Sequence, residues 1–218
     1  MSDFAVIFDL DGVLFDTERL CLRCWHEASS GWGLKDLTET FYRCVGCTKP
    51  KTRSILLSAY GDDFPMDEFD ARVRALCHAH MEQNGVPVKP GAEEILRFLR
   101  QNAVPCAIGS STRTETVRSE LAAAGLLDYF AAVVGGDRAA RSKPEPDIFL
   151  AAASALSFSP QSCYVVEDSH NGIRAASAAG MHPLMVPDLL PPTDEIRALA
   201  EAVLPSLADA QEYLAARL

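Results

Sequence analysis

Short apolar runs that end in small or acidic residues alternate with amphipathic helical patterns along most of this 218-residue chain. Phe4–Phe8 ends at Asp9, Val104–Ile108 at Gly109-Ser110-Ser111, Ala131–Val134 at Gly135-Gly136-Asp137, and Cys163–Val166 at Glu167-Asp168. Pro183–Val186 and Ala202–Leu204 continue the series more weakly. Runs this short and this apolar read as strands buried on both faces, and helices lie between them in sequence. That order predicts an α/β protein, a parallel sheet covered by helices on both sides.

The helical patterns are Ala92–Gln101, Thr114–Ala124, Pro146–Leu156, His170–Ala179 and Leu207–Arg217. Gly125 and Gly180 follow two of them as C-terminal stops, and Pro146 sits in a first turn, where its missing N–H costs nothing. Residues 16–88 interrupt the alternation with helical patterns near 17–30, 37–44, 50–59 and 66–84 and no convincing strand. The expected organisation is a Rossmann-like core of residues 1–15 and 89–218, flanked by helices, with an all-helical cap, 16–88, inserted after the first strand. Trp25 reads as core of that insert.

The formal net charge is −10, about −8 of it outside the insert. Such an acidic chain lacks the basic face of a nucleic-acid binder. The N-terminus has no basic segment leading into an apolar one, and no apolar run approaches the ~18 residues of a membrane span. These features predict a cytoplasmic protein, a monomer with neither membrane nor nucleic-acid partner. Seven cysteines, an odd number, suit a reducing compartment. Cys21-x-x-Cys24 and Cys44-x-x-Cys47 have a spacing compatible with a four-thiolate zinc site. The first pair, however, lies in an apolar helical stretch without the Gly or Pro of a zinc knuckle, which favours free thiols.

In an open parallel sheet, ligands bind beyond the carboxyl ends of the strands. Asp9-Leu10-Asp11-Gly12, Ser110-Ser111, Lys143 and Glu167-Asp168 all fall after strands. Taken singly, each has an ordinary explanation: a turn, a helix cap, a surface lysine, a helix start. Two strands that each end in clustered carboxylates are a poor choice for stability, because like charges repel. A hard divalent cation resolves the repulsion, and oxygen ligands suit Mg²⁺.

Four segments, Phe8–Asp16, Ile108–Ser111, Ser142–Phe149 and Val166–Met181, resemble in order and spacing the four motifs of the haloacid dehalogenase superfamily of phosphotransferases. The helical insert resembles the small cap of the branch containing beta-phosphoglucomutase and related sugar phosphatases. The resemblance implies that Asp9 attacks phosphorus to give an aspartyl-phosphate and that Asp11 serves as general acid, then base. It implies Mg²⁺ held by Asp9, the Asp11 backbone carbonyl and Asp168, with Glu167 in support. Ser110 and the Ser111 amide would bind phosphoryl oxygens at a helix N-terminus, and Lys143 would supply positive charge. Thr17, Cys21, Gly46, Cys47, Thr48, Lys49 and Arg113 are the positions expected to face the leaving group.

A carboxylate at position 11 disfavours the dehalogenase branch and the phosphonate-cleaving branch, although Lys49 and Lys51 lie in the insert where the latter carries its lysine. Mutases resembling beta-phosphoglucomutase typically carry a histidine where Cys21 stands and an arginine where Lys49 stands. Both departures point to a phosphatase acting on a small phosphorylated metabolite, a sugar phosphate first. A mutase is the alternative, and a binding protein on an inactive scaffold is a third reading that the intact acids and Lys143 oppose.

Overall fold

A computed structural model describes residues 3–47 and 49–218, and the chain divides into two compact units. The first joins Met1–Phe15 to Val88–Leu218 and the second is Asp16–Pro87. No helix among the described residues is long and apolar enough to cross a membrane.

The first unit is built on six strands: β1 (Ala5–Phe8), β2 (Cys106–Gly109), β3 (Ala132–Val134), β4 (Cys163–Glu167), β5 (His182–Met185) and β6 (Ala202–Val203). All pair in parallel, in the order β3-β2-β1-β4-β5-β6. The α/β expectation therefore holds. The chain builds outward from β1 in one direction and then in the other, so the strand order reverses beside β1, where such sheets leave a crevice. Every residue of β1 and β2 is buried, as helical cover on both faces demands. On one face Ile7, Ala107 and Val165 pack with Phe149, Ala152, Ala175 and Ala176.

The second unit holds α1 (Thr17–Ala28), α2 (Leu37–Cys44), α3 (Lys49–Tyr60) and α4 (Met66–Asn84). Its centre is aromatic: Trp25 meets Phe41 and Phe69 edge-on, with centroids 4.9 and 5.1 Å away. The helices of the first unit are α5 (Ala92–Gln101), α6 (Thr114–Ala123), α7 (Asp147–Leu156), α8 (His170–Ala178), α9 (Asp194–Leu199) and α10 (Leu207–Ala215). The six-residue α9 was not anticipated. It starts where the Thr193 hydroxyl accepts from the Ile196 amide, a cap too short-ranged to show as a hydrophobic period.

All seven cysteines are free. Burial, then hydrogen bonding with Cys77, pushes the Cys24 thiol up to about 12. Hydrogen bonding with Cys21 and then burial raise Cys77 further still. The first Cys pair engages Cys77 across α1 and α4. No three His, Cys, Asp or Glu side chains among the described residues are arranged to hold a metal ion.

Candidate functional site

Among the described residues, seven polar or charged side chains are buried. Five of them, Asp9, Ser110, Lys143, Glu167 and Asp168, lie at the carboxyl end of the sheet or in the loop before α7, and the other two belong to the helical unit. Burying ions is costly unless they are paired, so this concentration marks the crevice beside β1 as a built site.

Asp9 directly follows β1, and its amide donates to the Val166 carbonyl of β4 at 3.0 Å. The next turn folds on itself. Val13, Leu14 and Phe15 all donate to the Leu10 carbonyl, and Gly12 donates to Phe15 at φ +81°. Leu10, Val13, Leu14 and Phe15 are fully buried. They anchor the turn in the core and leave the acids at its rim. A Cβ on Gly12 would stand 2.3 Å from Asp168 Oδ2, so the Asp168 carboxylate lies against the Asp11–Gly12 backbone. Only glycine allows that approach.

Lys143 Nζ donates to Asp9 Oδ1 at 2.5 Å and to Glu167 Oε1 at 2.7 Å, and it sits 4.7 Å from the centroid of the buried Phe149 ring. The other Glu167 oxygen accepts from the Ser169 amide at 2.7 Å. A Cβ on Gly172 would lie 1.7 Å from Glu167 Oε1, so α8 must carry glycine there to admit the carboxylate. Both Glu167 oxygens are thus engaged by protein donors, and Glu167 anchors Lys143.

Burial pushes the Asp9 carboxyl up to about 8; Lys143 opposes the rise, while the charges of Glu167 and Asp11 add to it. Burial also works against the Lys143 charge, but Asp9 and Glu167 outweigh it and hold the amine above the usual lysine range.

Ser110 Oγ accepts from the Thr112 amide at 3.1 Å, and Thr112 Oγ1 donates to Asp11 Oδ2 at 3.0 Å. The loop from Ser110 to the start of α6 is clamped by the end of β3. Gly136 N donates to Thr112 O at 2.9 Å, and the Asp137 carboxylate accepts from the Thr114 amide at 2.6 Å and from its hydroxyl at 2.8 Å. A Cβ on Gly135 would stand 2.2 Å from Thr114 N, and one on Gly136 2.3 Å from Ser111 O. Ser111 itself is exposed, its amide at the approach to the α6 N-terminus.

The expected selectivity positions fall in both units. Thr17 and Cys21 sit one turn apart on α1; Gly46, at φ +69°, and Cys47 form the turn after α2, where Cys47 Sγ donates to Arg43 O; Lys49 opens α3. Thr48 lies outside the described residues. Arg113, in the first unit, is exposed as the residue before α6. Thr112 and Asp137 do not stand out as site residues in the sequence, whereas Gly172 lies in the Val166–Met181 segment that resembles the fourth motif. Thr112 was within reach of that reading, as a hydroxyl two residues beyond Ser110.

The donor set suits Mg²⁺. This ion favours oxygen ligands and usually takes one or two carboxylates, keeping other positions for water and substrate phosphate. Asp9 and Asp168, both buried, offer two carboxylates of that kind.

A model of haloacid dehalogenase-like hydrolases matches residues 5–180. The chain is 31% identical to a phosphorylated carbohydrates phosphatase of Thermotoga maritima, over 96% of each protein. It is 31% identical to a bifunctional riboflavin kinase/FMN phosphatase of Arabidopsis thaliana, covering 94% of this chain and 54% of that protein. A crystal structure of a putative beta-phosphoglucomutase from Thermotoga maritima superposes with a TM-score of 0.81 at 27% identity, over 99% of this chain and 100% of that one.

Proposed function

The chain belongs to the haloacid dehalogenase-like hydrolase family, and we propose that it is a Mg²⁺-dependent phosphatase of a small phosphorylated metabolite, a sugar phosphate first. The observation that carries the reading is the buried Asp9 at the end of β1, with Lys143 Nζ 2.5 Å away. A buried carboxylate held by a lysine beside a helix N-terminus can meet a phosphoryl group whose charge is offset on several sides. The phosphorylated carbohydrates phosphatase among the relatives supports the substrate class.

In this reading Asp9 attacks phosphorus and forms an acyl-phosphate as the ester P–O bond breaks. Asp11 gives its proton to the departing oxygen and later takes one from the water that hydrolyses the aspartyl-phosphate. Ser110 and the Ser111 amide bind phosphoryl oxygens, and Lys143 bears on the transferring group while Glu167 holds it in place. Asp9, Asp168 and the Asp11 carbonyl would hold Mg²⁺, whose charge would keep Asp9 ionised and offset that of the phosphoryl group. Cys21 and Lys49 stand where mutases of this kind typically carry histidine and arginine, which favours water as the final acceptor.

A phosphate-release screen with Mg²⁺ over sugar phosphates, phosphorylated acids, nucleotides and cofactor phosphates tests the proposal. Turnover of at least one class is expected, with complete loss in Asp9→Asn. Efficient interconversion of beta-glucose 1-phosphate and glucose 6-phosphate would replace hydrolysis by mutase chemistry.

A further inference from the structure

We infer that Thr112 is a positioning residue for the acid/base group, its hydroxyl holding the Asp11 carboxyl in one orientation. The inference rests on the role proposed above for Asp11.

Thr112 Oγ1 lies 3.0 Å from Asp11 Oδ2. An ionised carboxylate only accepts, so the hydroxyl is the donor. The hydrogen bond restrains the Asp11 carboxyl against rotation about its own χ2. The backbone of Thr112 is held on both sides: its amide donates to Ser110 Oγ and its carbonyl accepts from Gly136 N. The Cβ that Gly135 lacks would stand 2.6 Å from that same carbonyl. With the backbone fixed, χ1 decides where the hydroxyl points, and the β-branched side chain restricts χ1. The same residue thus joins the Ser110 loop to Asp11, so a phosphoryl group seated on that loop meets an acid already oriented.

A group that orients a general acid has a specific kinetic signature. Alkyl alcohols are poor leaving groups and need the proton as the P–O bond breaks; p-nitrophenolate leaves without it. The value of kcat/KM reports the phosphoryl transfer to Asp9 for both esters.

The test compares kcat/KM for glucose 6-phosphate, or the best alkyl ester from the screen, with that for p-nitrophenyl phosphate, in Thr112→Val, Thr112→Ser and Asp11→Asn. Loss of one hydrogen bond to a charged group predicts a fall of about tenfold for the alkyl ester in Thr112→Val. The p-nitrophenyl ester should be nearly unaffected, Thr112→Ser should recover most of the loss, and orthovanadate inhibition should be retained. Equal loss for both esters, or loss for neither, overturns the inference. If Thr112→Val does not fold, Thr112→Ala gives the same ratio. Asp11→Asn separates the two levels: equal loss for both esters there removes the role of Asp11 itself. Selective loss in Asp11→Asn without selective loss in the Thr112 variant removes only the inference about Thr112.

Discussion

Among the described residues Lys143 is the one cation hydrogen-bonded to Asp9 and Glu167, and Asp11 adds a third negative charge to their surroundings. The imbalance explains why burial can push Asp9 up to about 8 despite a lysine at 2.5 Å. Replacing that lysine exposes the cost directly. Lys143→Met is expected to abolish turnover and to lower unfolding free energy in urea by about 3–5 kcal/mol, as breaking a buried ion pair does. Gly12→Ala tests a different constraint, since the added methyl meets Asp168 Oδ2 at 2.3 Å in a left-handed backbone. It should lose phosphatase activity even where circular dichroism shows a folded chain. At this scale the acids were legible because a charge straight after an apolar strand has little structural reason to be there, and Ser110 and Lys143 because their segments resemble family motifs. Thr112 and Asp137 were not, because Ser, Thr and Asp fill loops everywhere, and only the folded distances separate a cap from a site.

The loop before α6 shows how one element depends on another. Asp137, at the end of β3, supplies the side-chain acceptor for the first amide of α6, a helix whose own preceding residue provides none. Asp137→Ala should therefore weaken orthovanadate inhibition several-fold and lower Tm slightly, while Asp137→Asn retains part of both. Within α6, burial pushes Glu120 up to about 7, with the Asp11 charge adding to the rise. A carboxyl raised on folding contributes stability that is complete below its ordinary value of 4.5 and lost as pH rises through about 7. The Tm difference between the wild type and Glu120→Gln should thus move against the wild type across that window; parallel curves would show that Glu120 is not so perturbed. Longer helices and the continuous apolar run of β1 were readable to within a few residues, as at Ala92–Gln101, Met66–Asn84 and Ala5–Phe8. Short pieces such as α9 were not, because six residues complete too few turns to leave a pattern.

For the whole molecule, a ligand that binds only the folded chain stabilises it by mass action, about 2.7 kcal/mol at a hundredfold excess over its Kd. Millimolar Mg²⁺ should raise Tm reversibly, EDTA should undo the rise, and Asp168→Asn should remove most of it; an unchanged Tm in Mg²⁺ would count against the proposed ligand set. The net charge of −10 fits this picture, because a phosphate is bound by charges within a few ångströms, not by the average over the surface. The alternation of apolar strands and helices was enough to dictate a parallel sheet, since each short run can hide its backbone and both faces only in that arrangement. It also dictated that the acids, Ser110 and Lys143 gather at one end, since parallel strands all end on the same side. What emerged only on folding are the partnerships: Lys143 shared between Asp9 and Glu167, Thr112 aimed at Asp11, Asp137 capping α6, and Cys21 and Cys24 set against Cys77. Such contacts join residues up to 134 positions apart. Hydrogen bonds depend on tenths of an ångström between side chains that no spacing along the chain encodes.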